Sequence, residues 1–229
     1  MPKIREVTVY QFDELGDEAK ARAREWYREA SADDSYWSEY VIEDAATALA
    51  HCGFDVRQRP VKLMGGGMRQ EPAIYWSGFW SQGDGACFEG AWSPASIMSA
   101  EQFASEYPGD SPSNVELRRI HAESVRLAAL DPTNAISWRC SHTGRYCHEQ
   151  SVTFSYEDER EPECSCLSSE CEGVQPDDIQ DEHEENARDA MRWIYSQLEA
   201  EYEYRNADEQ IDEDIRANEY TFTEDGRRF

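Results

Sequence analysis

The hydrophobic pattern along the chain alternates between two periods. Val7-Thr8-Val9-Tyr10 alternates and is β-branched, which predicts a short strand. Asp13 or Asp17 then caps a predicted helix over 17–30, with Ala19, Ala23, Trp26, Tyr27 and Ala30 at helical spacing. A second helix is predicted over 36–51, with Trp37, Tyr40, Val41, Ala45, Ala48 and Leu49 as its inner stripe and Gly53 where a C-terminal glycine belongs. Residues 54–63 read as a strand and 64–68 as a glycine-rich turn. Residues 73–80 form a strongly aromatic strand, Ser81-Gln82-Gly83-Asp84-Gly85 turns the chain, and 86–92 returns, which predicts an aromatic hairpin.

Beyond the hairpin the pattern becomes more helical. A short helix is predicted over 99–107 and a longer one over 114–130, the latter carrying Val115, Leu117, Ile120, Val125, Leu127 and Leu130. Residues 135–140 and 151–156 read as two strands joined through Thr143-Gly144-Arg145. A long helix over 177–204 bears one apolar stripe of Ala187, Ala190, Met191, Ile194, Tyr195, Leu198 and Tyr202, its other faces reading as Asp and Glu. A last helix at 207–217 and a short strand at 220–222 complete the chain. The expected fold is α+β: an antiparallel sheet of five to seven strands with an aromatic hairpin, packed by several helices, with acidic helices at the C-terminus. The expected organisation is a core over 1–156, an acidic Cys-rich loop over 157–176, and an acidic helical segment over 177–229 packing on the core.

Composition then narrows the chemistry. The chain has 229 residues with 7 Trp, 12 Tyr and 8 Phe, enough to bury a core. Its net charge is −26, and residues 157–219 hold 23 acidic side chains against 5 arginines. That balance excludes ordinary nucleic-acid binding, which needs a Lys/Arg footprint, and binding to anionic membrane surfaces. The N-terminus has no apolar stretch of the signal-peptide type and no apolar run has membrane-spanning length, so a cytoplasmic location is expected. The 7 cysteines then read as thiols or metal ligands, not as disulfides.

Three segments resemble a family of uncharacterised proteins from tailed bacteriophages and prophages. They are Val7 to Leu15 with Ala19 to Tyr27, the run Tyr75-Trp76-Ser77-Gly78-Phe79-Trp80-Ser81-Gln82-Gly83-Asp84-Gly85-Ala86-Cys87-Phe88-Glu89-Gly90, and Glu201 to Tyr204 continuing through Ile211, Ile215, Tyr220 and Phe222 to Gly226. Some members are labelled antitoxin-like. The resemblance implies a phage or prophage origin and carries no site residues.

Three constellations bear on function. Tyr75, Trp76, Phe79, Trp80, Phe88 and Trp92 read as a sheet buried on both faces or as an aromatic platform, with Trp76 and Trp80 on one face and Tyr75 and Phe79 on the other. Cys140, His142, Cys147 and His148 around one turn, followed by Cys164, Cys166 and Cys171, allow a zinc site, although the spacing is not the usual Cys-x₂₋₄-Cys. Cys147 and His148 are adjacent on the chain, which sets them on opposite faces of a strand and prevents a dyad. No phosphate-cradling glycine loop is present, since Gly65-Gly66-Gly67 lacks the following Lys-Ser/Thr. Calcium has no Asp-x-Asp-x-Asp-Gly loop.

The acidic C-terminal third gives the leading expectation: a phage-type anti-defence protein that acts as a nucleic-acid mimic. It blocks a basic nucleic-acid-binding protein of the bacterial host, such as a CRISPR or restriction effector, without catalysis or cofactor. Its expected contacts are Asp177, Asp178, Asp181, Glu182, Glu184, Glu185, Glu199, Glu201 and Glu203, with Trp76 and Trp80 as aromatic anchors. The alternatives are an antitoxin-like binder of a basic toxin and a zinc-dependent enzyme centred on the Cys/His cluster. A plain solvated acidic surface stands beside all three.

Overall fold

The computed structural model describes residues 6–32, 36–131, 136–158 and 176–229. In chain order its elements are β1 (Tyr10–Gln11), α1 (Asp17–Ser31), α2 (Tyr36–His51), β2 (Phe54–Val56), β3 (Gln58–Lys62), β4 (Met68–Pro72), β5 (Ile74–Ser77), β6 (Gly85–Phe88), β7 (Gly90–Trp92), α3 (Ala100–Glu106), α4 (Pro112–Leu130), β8 (Ile136–His142), β9 (Val152–Asp158), α5 (Pro176–Asn206), α6 (Asp208–Ala217) and β10 (Thr221–Phe222). The fold is α+β, with every strand pair antiparallel. The chain divides into two compact units, one of Met1–Glu39 with Glu199–Phe229 and one of Tyr40–Leu198.

The smaller unit joins the two chain ends. β1 pairs with β10, Tyr10 opposite Phe222. Its core is Phe12, Leu15, Ala19, Ala23, Ile211, Ile215 and Phe222, edged by Trp26, Tyr27 and Tyr220. The i, i+4 spacing of Ala19/Ala23 and Ile211/Ile215 puts one apolar stripe on each of α1 and α6, and small residues on α1 let the two helices come close. Arg24 clamps Asp212 through two bonds of 2.6 and 2.7 Å. Gly226 has φ +84°, and a Cβ there would enter the Ala19 carbonyl.

The larger unit is built on a four-stranded sheet in the order β2-β7-β8-β9. Phe54, Phe88, Trp92 and Trp138 meet in its core, with ring centroids 5.8 Å apart for Phe54–Phe88 and 6.1 Å for Phe54–Trp138. Large aromatic rings on short strands bury enough area to fix this small sheet. α3 and α4 start on serine caps, Ser99 and Ser111, whose hydroxyls accept the backbone N–H of Gln102 and Asn114. α5 turns Ile179, His183, Asn186, Ala187, Ala190, Met191, Trp193, Ile194 and Leu198 inward.

Several sequence expectations change. The sheet of five to seven strands is one sheet of four and three two-stranded ribbons. Only Tyr10 of the expected first strand pairs, because β10 offers two residues. Residues 54–63 form two strands, and Met68–Pro72 is a strand the pattern did not predict. On α4, Val115, Val125 and Leu130 are exposed, and on α2 Tyr40 is 71% exposed.

Candidate functional site

β5 and β6 pair with Ile74 opposite Phe88 and Ser77 opposite Gly85, so the chain reverses over residues 78–84. Asp84 organises that reversal. Its Oδ2 accepts the N–H of Trp80 at 2.9 Å and of Ser81 at 2.7 Å, and its own N–H donates to the Ser81 carbonyl at 3.0 Å. Gly83 has φ +102°, which a side chain rarely adopts. At Gly85 a Cβ would lie 3.0 Å from the Cys147 carbonyl oxygen and 3.1 Å from the His148 Cα, so the loop after β8 closes directly on β6. The Ser81 N–H first, then the Trp80 N–H and the Ser77 side chain, hold the Asp84 carboxyl below the usual carboxylate range.

The aromatic side chains follow from this turn. β5 ends at Ser77, so Trp80 stands in the loop and not on a strand face, and it is 82% exposed. Trp76 and Phe79, expected on opposite faces, stack at 5.4 Å and 27°. Phe79 rests on Tyr195 of α5 at 5.4 Å, and the Tyr195 hydroxyl donates to the Gly78 carbonyl at 2.9 Å. Tyr146, from the loop after β8, lies beside Gly83 and is 59% exposed, with the Arg145 guanidinium 5.2 Å above its ring. Its carbonyl accepts His142 Nε2–H at 2.9 Å. Two loops that meet where Tyr146 lies beside Gly83 thus carry Trp80 on one and Tyr146 with Arg145 on the other, the residue types that concentrate binding energy at protein interfaces.

The acidic residues of α5 are held by arginines of the same chain. Glu182 meets Arg126 of α4 at 2.8 Å, Glu184 meets Arg188 at 2.7 Å, and Glu185 meets Arg192 at 2.5 Å. Asp189 is paired with both Arg119 and Arg192, and Arg192 reaches Glu149 at 3.8 Å. The faces expected to read as Asp and Glu therefore carry arginine partners on this stretch, Arg188 and Arg192 from α5 itself and Arg119 and Arg126 from α4. Asp181 is exposed. The side chains of Asp177 and Asp178 lie outside the described residues. Glu199, Glu201 and Glu203 belong to the smaller unit, where Glu201 lies 3.9 Å from Arg205 and Glu203 is exposed.

The expected Cys/His cluster is dispersed. Cys140 is buried and its thiol donates to the Phe88 carbonyl at 3.3 Å. His142 instead stacks on Tyr75 at 4.8 Å, and His148 Nδ1 accepts the Gln150 N–H at 3.2 Å while lying 3.0 Å from Glu149. Among the described residues no group of three or more His, Cys, Asp or Glu is placed to hold a metal. Burial pushes the Cys52, Cys87 and Cys140 thiols up to about 12 and also raises Cys147, which disfavours the thiolate at each. Cys164, Cys166 and Cys171 lie outside the described residues.

Sequence reading missed Tyr146 and Arg145, and it named Trp80 as an anchor but set it on a strand face instead of in the loop. The signal was the paired turns, Gly83-Asp84-Gly85 and Thr143-Gly144-Arg145, each bracketed by aromatic residues. Among the described residues no helix is long and apolar enough to cross a membrane.

No curated protein and no solved structure matches the chain. The model of a family described as a domain of unknown function (DUF8835) matches residues 37–208, which cover the site, and the chain belongs to that family.

Proposed function

We propose that the protein works by binding a basic protein partner, with Trp80 as the anchor of the contact and the acidic surface as its source of attraction. The observation that carries this reading is an 82% exposed tryptophan held on an ordered turn in a chain of net charge −26. An exposed Trp gains most when a partner covers it, and its ring attracts a guanidinium or ammonium group. The surrounding negative field draws such a partner in from a distance. Partners of this charge include proteins whose basic grooves normally hold nucleic acid, and there the protein acts by occupying the groove.

The test is capture from a bacterial lysate on immobilised protein, with wild type and Trp80→Ala compared at about 50 and 500 mM salt, where the Debye length falls from roughly 14 to 4 Å. A basic protein retained by wild type at low salt, released at high salt and bound at least about tenfold more weakly by Trp80→Ala supports the reading. Release of the same protein by added duplex DNA supports the groove-occupying form. Equal capture by both proteins, or capture that salt leaves unchanged, rejects it.

A further inference from the structure

The β3–β4 hairpin is unlike the rest of the chain in charge and in burial. Residues 57–72 carry Arg57, Arg59, Lys62 and Arg69 against Glu71, a net of +3 in a chain of −26. None of residues 57–71 is buried. Met64, Met68 and Leu63 at its tip are 108%, 60% and 44% exposed, and a Cβ on Gly65, Gly66 or Gly67 would touch nothing within 4 Å. Among the described residues its strands pair only with each other. A two-stranded ribbon without a core is marginal by itself in water, and a further strand would add to the support this arm takes from the Arg57–Glu89 pair and from Arg59 over the Tyr75 ring at 4.8 Å.

The hydrogen-bond parity shows which edge is open. Ala73 N–H donates to the Arg57 carbonyl at 2.7 Å, and Leu63 N–H to the Gly67 carbonyl at 3.2 Å. Bonded and non-bonded pairs alternate in an antiparallel ladder, so Arg59–Glu71 and Val61–Arg69 are the bonded pairs in between. Pro60, opposite Gln70, therefore turns its missing N–H outward and blunts the free edge of β3. On β4 the backbone groups of Met68 and Gln70 and the carbonyl of Pro72 point outward.

We propose that β4 pairs with β4 of a second copy, antiparallel and centred on Gln70, forming a four-stranded sheet across a two-fold axis. In that register each Gln70 N–H donates to the other Gln70 carbonyl, and each Met68 N–H donates to the Pro72 carbonyl of the other copy. Arg69 falls directly opposite Glu71 of the other copy, twice, in the non-bonded position where side chains come closest. The edge is self-complementary, as an isologous contact requires. Met68 of each copy arrives beside Pro72, which with Gln70 lines an open cleft of about 440 Å³ beside Thr47 and Ala50 of α2. The arm's charge of +3 also opposes, at the contact, the repulsion between two chains of −26.

The experiment is sedimentation equilibrium of the full chain at about 0.15 M salt, where a Debye length of roughly 8 Å screens the overall repulsion. Wild type is expected to dimerise with concentration. Arg69→Glu places like charges opposite each other twice and weakens the dimer about tenfold, as does Glu71→Arg, whereas the double exchange restores it. Gln70→Pro removes an N–H that the hairpin itself does not use and leaves a monomer with an unchanged far-UV spectrum. A monomer at every concentration overturns the proposal. So does a dimer that the charge exchange leaves unmoved, which holds even if Gln70→Pro fails to fold.

Discussion

The Tyr195 hydroxyl donates to the Gly78 carbonyl at 2.9 Å, tying the middle of α5 to the loop that displays Trp80. Tyr195→Phe removes this bond and keeps the ring against Phe79. The expected cost is about 1 kcal/mol in urea unfolding, the usual net worth of one such bond. Chymotryptic cleavage after Phe79 and Trp80 is expected to quicken in the variant, because the loop loses its tether while the sheet stays intact. An unchanged cleavage rate would mean that the Phe79 contact alone holds the loop.

The helices were legible because their apolar stripes are long and regular. Ala187, Ala190, Met191, Ile194 and Leu198 all turn inward as their spacing requires. β4 was hidden because Met68-Arg69-Gln70-Glu71-Pro72 has no apolar alternation; it is a strand only because the Gly65-Gly66-Gly67 turn folds it back on β3. Trp80 was misplaced for a related reason. Continuing the strand period past Ser77 ignored the turn at Gly78, and the side-chain cap from Asp84 to two backbone N–H groups decides where the strand stops. The acidic face was half legible. The Glu184–Arg188 pair sits at i, i+4 on one helix, but Arg119 and Arg126 come from α4, 70 residues before Asp189 and 56 before Glu182, and no local pattern announces them.

Asp84 sets the shape of the candidate site through its two accepted backbone bonds. Asp84→Ala is expected to free residues 78–84 and to weaken partner capture as much as Trp80→Ala, while leaving the far-UV spectrum intact. Asp84→Asn keeps an acceptor oxygen and should retain most of the capture. Because the folded carboxyl titrates below its ordinary value, the turn contributes fully above the usual carboxylate pKa. The contribution disappears only as pH falls through that lowered value, and pH-dependent chymotryptic cleavage of the loop follows it.

Gly226 tests the smaller unit. Its φ of +84° and the absence of space toward the Ala19 carbonyl act against any side chain. Gly226→Ala must distort either the β10 turn or the first turns of α1, at an expected cost of at least about 2 kcal/mol. Thermal unfolding of the variant checks this. A midpoint equal to wild type would show that the C-terminal turn does not pack on α1 in solution.

His183 makes stability depend on pH. It is 1% exposed, its ring lies 4.6 Å from Trp92, and among the described residues its Nε2 has no hydrogen-bond partner. Burial pushes its pKa down from 6.5 to about 4, against Asp131, Glu182 and Glu123, which favour the proton, and with Arg126, which disfavours it. Above the unfolded value both states are neutral and the group contributes no slope. Between 6.5 and about 4 the unfolded chain takes up a proton that the folded chain refuses, so stability falls as pH falls. From pH 6.5 to 5 that loss amounts to about 2 kcal/mol, at roughly 1.4 kcal/mol per unit. The difference between wild type and His183→Leu cancels what other groups contribute in this window. Urea unfolding of both proteins at several pH values in the window should give a steeper decline for wild type. Parallel curves would mean that His183 accepts its proton in the folded state, through a partner within reach of Nε2.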